Sequence, residues 1–162
     1  KLKTALGMLF TLRGIPCMYY GTEILMKETA NHGVIREDFP GGWESDTVNK
    51  FVAEGRTELE NEAFDWIKLL LDYRSDSKAL TEGKLTQFVP VDGVYVYFRN
   101  TEEDTVMVIV NTNQKDSKAL KLDRFAELWP KGSTGVDITT QQKIGGEELN
   151  LAPMSILIVE KD

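Results

Sequence analysis

Carboxylate side chains are the first candidates for chemistry in this sequence, because they can transfer protons, attack carbon or hold a cation. Glu23 follows a short apolar stretch, and Glu37, Asp38, Glu44 and Asp46 lie in the polar segment after it. By position alone, Glu23 is a candidate catalytic acid. The later carboxylates could form a calcium site, but they lack the spacing of an EF-hand loop, so we predict a solvated loop and no metal.

Aromatic side chains lie around the same segment, namely Tyr19, Tyr20, Phe39 and Trp43, with Arg36 among them. Sugar rings pack well on aromatic faces, and a guanidinium group can donate hydrogen bonds to hydroxyls. These residues are therefore candidates for carbohydrate binding. We predict a core position for Tyr19, whereas a binding role and a purely structural role are equally open for the other four.

The composition argues against several classes of protein and of site. The net charge is −7, from 19 Lys and Arg against 26 Asp and Glu, which disfavours a nucleic-acid partner. With one Cys and one His, a metal site built from these residues is implausible and an internal disulfide cannot form; His32 is predicted to be a solvated loop residue. The apolar N-terminal stretch is interrupted by Arg13, Gly14 and Pro16, so neither a signal peptide nor membrane insertion is predicted.

An α/β region is predicted to position the candidate residues. Leu2 to Leu12 is apolar nearly all round, which is typical of a helix packed on several sides. Ile15 to Tyr20 is an apolar run between two glycines, which predicts a parallel strand buried on both faces. A long loop over Ile24 to Glu60 would lead to a helix over Glu62 to Ser75, with Asn61 as its N-cap.

After Gly83 the apolar pattern changes from a helical period to alternation, which predicts strands. Asp92-Gly93 between two alternating runs is the signal of a type I′ hairpin. Many short strands with turn signals predict an antiparallel sandwich, so the predicted domains are residues 1–80 and 81–162. The predicted strands are Leu85–Val89, Val94–Phe98, Thr105–Val110, Ala119–Leu122, Val136–Thr139 and Met154–Val159, with a short helix over Asp123–Leu128.

Three segments carry a resemblance to a known family. They are Arg13 to Glu23 (RGIPCMYYGTE), Arg36 to Trp43 (REDFPGGW), and Val94 to Asn100 followed by Val106 to Asn111. The first resembles the strand-8 segment of α-amylase-family barrels. The second resembles the loop after that strand in the neopullulanase and cyclomaltodextrinase branch, and the third is similar to the opening strands of the C-terminal β-domain.

The resemblance implies a layout for the chain. Residues 1–80 would be helix 7, strand 8, a long loop and helix 8 of a (β/α)8 barrel, and residues 81–162 the C-terminal β-sandwich domain. The family cleaves α-glucosidic bonds with retention, using an Asp nucleophile, a Glu acid/base and a stabilising Asp on strands 4, 5 and 7. Those strands would lie upstream of Lys1, so the resemblance implies no catalytic residue in this chain.

The resemblance also implies a function and roles for individual residues. The chain would be the C-terminal part of a retaining α-glucan hydrolase whose ligand is an α-glucan or maltooligosaccharide and which needs no cofactor. Gly21 and Glu23 would be structural at the barrel top. A carbohydrate-binding β-sandwich module and a non-catalytic amylase-like scaffold are the alternatives. The resemblance favours a bacterial periplasmic or extracellular location over a cytoplasmic one and leaves the oligomeric state open.

Overall fold

The computed structural model describes residues 1–27, 33 and 36–162, which form two compact units. The sheet unit comprises residues 1–15 and 70–162, and the loop unit comprises residues 16–69. The predicted domain division at residues 80 and 81 stays a prediction.

The α-helices are α1 (Leu2–Thr11), α2 (Glu58–Asp76) and α3 (Lys78–Thr81). No helix in the described part of the chain is long and apolar enough to cross a membrane.

Eight antiparallel strands build the sheet unit. Six form one sheet in the order β1-β2-β3-β8-β5-β6, and the other two form the separate pair β4-β7. This arrangement confirms the predicted antiparallel, sandwich-like domain; the short strands β6 and β7 were not predicted. The strands are β1 (Lys84–Gln87), β2 (Val94–Asn100), β3 (Thr105–Asn111), β4 (Lys118–Lys121), β5 (Thr134–Asp137), β6 (Lys143–Gly145), β7 (Glu148–Leu151) and β8 (Ser155–Lys161).

The hairpin that leads into β2 has the predicted two-residue turn. Asp92 and Gly93 both have positive φ, 51° and 76°, as a type I′ turn requires. The flanking residues exchange both backbone hydrogen bonds, with Val91 N to Val94 O at 3.0 Å and Val94 N to Val91 O at 2.8 Å. The Asp-Gly signal therefore predicts the turn itself, and the β1-β2 ladder is offset from it by one residue, since Val91 pairs with Val94 whereas Gln87 pairs with Tyr97.

One face of the large sheet packs against the β4-β7 pair and the segment between β4 and β5. That segment contains a short 3-10 turn, Asp123–Phe125, rather than the longer helix predicted over 123–128. The ring of Phe125 lies 6.2 Å from that of Phe98 on β2, so the segment fills the space between the sheets. The buried cluster consists of Val94, Val96, Phe98, Met107, Ile109, Leu122, Phe125, Trp129, Leu151 and Val159.

The opposite face of the sheet is covered by α1. Gly7 allows a close approach, because a Cβ at this position would lie 2.7 Å from Cδ1 of Ile156 on β8. The hydroxyls of Thr11 and Tyr97 are 2.6 Å apart in the same buried layer. Leu2 and Leu9 are exposed, so within the described residues the helix packs on one side and not on several sides as predicted.

The predicted buried strand over Ile15–Tyr20 is absent from the described structure. These residues belong to no helix and pair with no strand, and Ile15 is 97% exposed. A parallel strand depends on hydrogen bonds from neighbouring strands and on apolar cover over both faces. The described chain supplies neither at this place, so the apolar sequence alone does not produce the strand.

Helix α2 begins at Glu58, four residues before the predicted start at Glu62. Thr57 and Glu60 form a capping box: Thr57 N donates to Glu60 Oε2 at 2.8 Å, and Glu60 N donates to Thr57 Oγ1 at 3.3 Å. Asn61 is therefore not the N-cap. Its side chain accepts a hydrogen bond from Arg56 Nε at 2.8 Å and donates to Ala53 O at 3.0 Å, which ties the preceding loop to the helix.

Candidate functional site

A tight turn at Gly21 directly follows Tyr20, the tyrosine predicted as a site residue. Gly21 has φ of 82°, and its carbonyl accepts hydrogen bonds from Ile24 N at 3.2 Å and Met26 N at 2.9 Å. A Cβ at residue 21 would lie 2.5 Å from the Met26 sulfur. Glycine is therefore required both for the backbone conformation and for the space beside Met26.

Tyr20 connects this turn to the loop that carries Arg36. Its hydroxyl donates to the backbone oxygen of Glu37 at 2.9 Å. The pKa of Tyr20 is raised, chiefly by a hydrogen bond with the Tyr19 side chain, while the positive charge of Arg36 acts in the opposite direction. Tyr19 is 61% exposed, so its predicted core position is wrong; the two tyrosine rings lie 4.6 Å apart. Tyr19 and Tyr20 therefore form an exposed aromatic pair, and the charge of Arg36 is close enough to affect the pKa of Tyr20.

The loop around Trp43 is held by one carboxylate. Oδ2 of Asp46 accepts hydrogen bonds from Gly41 N at 2.7 Å and Trp43 N at 3.0 Å. These donors, with Trp43 first, lower the pKa of Asp46 below its ordinary value, since they stabilise the charged form. The Trp43 side chain is 63% exposed on this pinned backbone. The arrangement presents a broad aromatic face to solvent.

Phe39 and Gly41 close the same loop from its other side. The Phe39 ring is half-buried against Phe51, with ring centroids 4.5 Å apart. Gly41 has φ of 107°, and a Cβ there would lie 2.8 Å from the Asn49 Cα. Lys50 N donates to Pro40 O at 3.0 Å, so residues 39–51 form a compact loop rather than an open one.

Glu23 lies in a short 3-10 turn, Thr22–Ile24, directly after Gly21. One carboxylate oxygen, Oε2, is buried and has no hydrogen-bond partner among the described residues. A buried, unpaired carboxylate oxygen is costly and calls for a partner. Across residues 1–27, 33 and 36–162, no group of three His, Cys, Asp or Glu side chains could hold a metal ion.

The predicted site residues fall into two groups. Tyr20 and Arg36 are brought together through the Glu37 carbonyl, and Phe39 and Trp43 share the loop held by Asp46. Among the described residues, no hydrogen bond or ring contact joins the first group to the second. The predicted loop residue His32 lies outside the described part of the chain.

Sequence reasoning missed the role of Asp46. It was interpreted as a solvated carboxylate, whereas it organises the loop by accepting two backbone hydrogen bonds. The signal was present, because an Asp three residues after Trp43 and close to Gly41-Gly42 fits a side chain that bonds its own loop backbone.

Comparison with known proteins identifies relatives of this chain. Residues 85–160 match the family model described as the cyclomaltodextrinase C-terminal domain. A cyclomaltodextrin glucanotransferase of Klebsiella oxytoca is 32% identical over 111 residues, which are 68% of this chain and 16% of that protein. A maltogenic α-amylase of Bacillus acidopullulyticus is 31% identical over 119 residues, 70% of this chain and 18% of that protein. The chain thus spans only a small share of each relative.

Solved structures share the fold. The α-amylase of Geobacillus thermoleovorans, complexed with acarbose, has a TM-score of 0.68 at 24% identity, over 99% of this chain and 33% of that chain. AmyP in complex with maltose has a TM-score of 0.68 at 21% identity, over 98% of this chain and 34% of that chain. At these identities the likeness establishes the fold.

Proposed function

Because this chain belongs to the α-amylase family and residues 85–160 match a cyclomaltodextrinase-type C-terminal domain, we propose that it is the C-terminal part of a retaining α-glucan hydrolase. The observation that carries the proposal is the match of residues 85–160 to that domain. The exposed aromatic face of Trp43, on a loop whose backbone donates to Asp46, supports a binding role for this chain. The names of the relatives, which refer to cyclomaltodextrin and maltogenic activity, support an α-glucan or maltooligosaccharide as the ligand.

We propose that residues 1–80 complete a (β/α)8 barrel whose other strands lie in a longer parent protein. A β/α-amylase of Paenibacillus polymyxa is 25% identical over all 162 residues, which supports a relationship beyond the β-domain. Tyr19, Phe51 and Leu59 are 60–63% exposed in the loop unit, and apolar surface of this kind normally packs against more polypeptide. The unpaired oxygen of Glu23 also supports this, as would be expected of a carboxylate that braces the barrel top.

In the parent, the residues of this chain would bind rather than cleave. Trp43 and Tyr20 would pack on sugar rings, and Arg36 would donate hydrogen bonds to hydroxyls. Phe39 would support the loop from its contact with Phe51. Retaining cleavage needs two carboxyl groups about 5–5.5 Å apart across the scissile bond, and we place both upstream of Lys1.

The first test asks whether this chain has activity by itself. We expect the 162-residue chain to release no reducing ends from starch, pullulan or cyclodextrin above a buffer blank, whereas the full-length parent does so. The reason is that the paired carboxylates required for the reaction would lie outside this chain. Activity of the isolated chain that survives repurification would contradict the proposal.

The second test concerns Trp43 in the parent enzyme. Trp43→Ala should lower kcat/KM by the equivalent of about 1–3 kcal/mol of transition-state binding, as the loss of an aromatic contact to a sugar predicts. The free energy of unfolding should change by about 0.5 kcal/mol or less, since the side chain is exposed. Val48→Ala, another exposed position in the loop unit, is the control and should leave kcat/KM unchanged.

Kinetics and thermal unfolding of the same Trp43 variant separate the two interpretations of this residue. Normal kcat/KM combined with a large fall in Tm would show that the Trp43 side chain stabilises the fold by packing and does not contact the substrate. That result would contradict the proposal that the loop around Trp43 binds the substrate.

A further inference from the structure

Strand β4 has a neighbouring strand on one side only. It pairs with β7, and the two form a separate two-stranded sheet. A groove of about 300 Å³ is lined by all four residues of β4, Lys118 to Lys121. Within the described chain, β7 contributes no residue to this lining, so the groove lies on the side of β4 away from its partner. The groove therefore follows an open strand edge, where a further strand can pair.

The backbone of β4 presents hydrogen-bonding groups to this open edge. Leu122 N donates to Glu147 O at 3.0 Å, and these residues lie opposite each other in the β4-β7 register. Hydrogen-bonded pairs alternate along an antiparallel ladder, so Leu120 directs its backbone groups toward β7, whereas Ala119 and Lys121 direct theirs away from it. In the described residues, no other backbone hydrogen bond occupies those groups of Ala119 and Lys121. An extended peptide in the groove supplies the ladder bonds that this edge lacks.

The wall of the groove that faces β4 is apolar and partly exposed. It includes Phe88 and Val91, which lie just before the hairpin turn, and Val91 is 50% exposed. Arg124 Nη2 donates to Val89 O at 2.7 Å and so holds this wall in place. On the β4 side, Leu120 packs against the core cluster. Because side chains alternate along a strand, a strand bound here places every second side chain against this apolar surface.

Cations outnumber carboxylates at the groove, although the whole chain has a net charge of −7. The charged residues that line it are Lys118, Lys121, Arg124, Asp92 and Asp123. The two lysines begin and end β4, and neither forms an ion pair in the described part of the chain. Their ammonium groups are available to carboxylates of a partner, so the edge favours an acidic segment.

We propose that the open edge of β4 binds an extended acidic segment of another protein, which pairs with it as an added strand. Strand addition takes its affinity from main-chain hydrogen bonds and its specificity from alternate side chains. Apolar side chains of the segment face Phe88 and Leu120, and its carboxylates face Lys121. A second copy of this chain fits poorly, because in-register antiparallel pairing of β4 with itself places Lys118 opposite Lys121, and like charges destabilise a ladder.

The test is a titration of the 162-residue chain with the peptide acetyl-Thr-Val-Glu-Val-Glu-Val-Thr-amide, followed by ¹H–¹⁵N NMR. Amide signals of Ala119 and Lys121 should shift with a common Kd of about 0.1–1 mM, because a single added strand buries a small area. Their exchange with water should slow, since both N–H groups gain acceptors.

Two control peptides separate the contributions of charge and of backbone hydrogen bonds. One has Lys in place of both Glu residues, and the other is N-methylated at its three central residues and cannot donate there. Each should bind at least about tenfold more weakly than the acidic peptide.

Variants locate the binding on β4. Ala119→Pro removes an edge N–H that β7 does not use, a position at which proline is tolerated in sheets, and should weaken binding at least about tenfold. Asn150→Pro makes the same change on β7, since Asn150 lies opposite Ala119, and should bind like the unmodified chain. Lys118→Gln combined with Lys121→Gln should abolish the preference for the acidic peptide over the Lys peptide. This pair decides the outcome if a proline variant loses its dispersed spectrum.

Several results would overturn the proposal. If the acidic peptide shifts no β4 signal at about 5 mM, well above the expected Kd, the two lysines only keep a strand edge from pairing with other chains. Full binding by Ala119→Pro, or equal binding of the N-methylated peptide, would exclude strand addition. Ala119 shifts that depend on the concentration of the chain alone would identify a second copy as the occupant. None of these results depends on the activity of the parent protein.

Discussion

The sheet unit and the loop unit differ in how they bury apolar side chains. In the sheet unit, β2, β3 and β8 are apolar on both faces and are covered by the β4-β7 pair on one side and by α1 on the other. Among the described residues of the loop unit, the buried apolar side chains are Ile24, Ala63 and Ile67. Burial of apolar surface is the main driving force of folding, so the two regions differ in what stabilises them.

Buried polar groups occur in both units. Asp137 in the sheet unit is fully buried, and its carboxylate accepts hydrogen bonds from Ile158 N at 3.1 Å and from the hydroxyls of Thr139 and Thr140 at 2.9 and 2.7 Å. In the loop unit, an oxygen of Glu23 is buried without such a partner. The sheet unit also contains buried polar atoms without a hydrogen-bond partner among the described residues, such as Nε1 of Trp129. The two units therefore differ in apolar burial and not in how completely their buried polar atoms are paired.

The largest effect should come from a matched pair of phenylalanines, one in each unit. Phe98→Ala should lower the free energy of unfolding by about 3–5 kcal/mol, because this side chain is fully buried and leaves a cavity. Phe51→Ala should cost about 1 kcal/mol or less, since Phe51 is 60% exposed and contacts Phe39. Urea unfolding followed by circular dichroism measures both. Equal losses would show that the two units do not differ in packing.

A second comparison concerns buried arginines at the C-terminal end of α1. Arg99 is 1% exposed; its Nη1 donates to Thr11 O at 3.0 Å and Leu12 O at 2.9 Å, and its Nη2 donates to Gly83 O at 3.0 Å. Arg74 donates to Phe10 O at 2.8 Å. Cations at this end of a helix satisfy its last carbonyls and interact favourably with its dipole.

We therefore expect Arg99→Met to lower the free energy of unfolding by about 2–4 kcal/mol, because buried carbonyls lose charged donors. Burial, followed by the nearby charge of Arg74, lowers the pKa of Arg99, so its charge is kept at some cost. Arg124→Met is the control: Arg124 is exposed and donates to Val89 O at 2.7 Å, so its loss should be about 1 kcal/mol or less. Similar losses for both variants would refute this role of the buried guanidinium.

The smallest effect is local and concerns acid pH in the loop unit. The pKa of Asp46 is lowered from its ordinary value of 3.8 by the N–H groups of Trp43 and Gly41. Because the folded-state pKa is depressed, the hold on the loop is complete above the ordinary pKa and is lost as the pH falls through the lowered one. The emission of Trp43 should change over that acid range. Comparison of the chain with Trp43→Phe isolates its signal.

Asp46→Asn removes the titrating group and serves as the control for this pH effect. Its Trp43 emission should not follow the acid transition, while the sheet unit keeps its circular dichroism at neutral pH. An acid transition of Trp43 that persists in the Asn variant would assign the effect to another carboxylate.

Local sequence signals predicted most of the elements correctly. The alternation after Gly83 and the Asp92-Gly93 pair gave the antiparallel strands and the hairpin, because strand period and positive φ are properties of neighbouring residues. The candidate site residues were proposed from residue type alone, and the side chains of Tyr20 and Trp43 are exposed. Their binding role stays a prediction.

Other features depended on contacts that the local pattern does not contain. The same kind of apolar run became the buried strand β3 and the exposed segment Ile15–Tyr20, and the difference was the presence of neighbouring strands. The sequence by itself determined which segments could be helices, strands and turns. Only the tertiary structure decided which apolar faces are covered, that Arg99 holds the end of α1, and that a groove opens beside β4, because each of these requires residues far apart in the chain to meet.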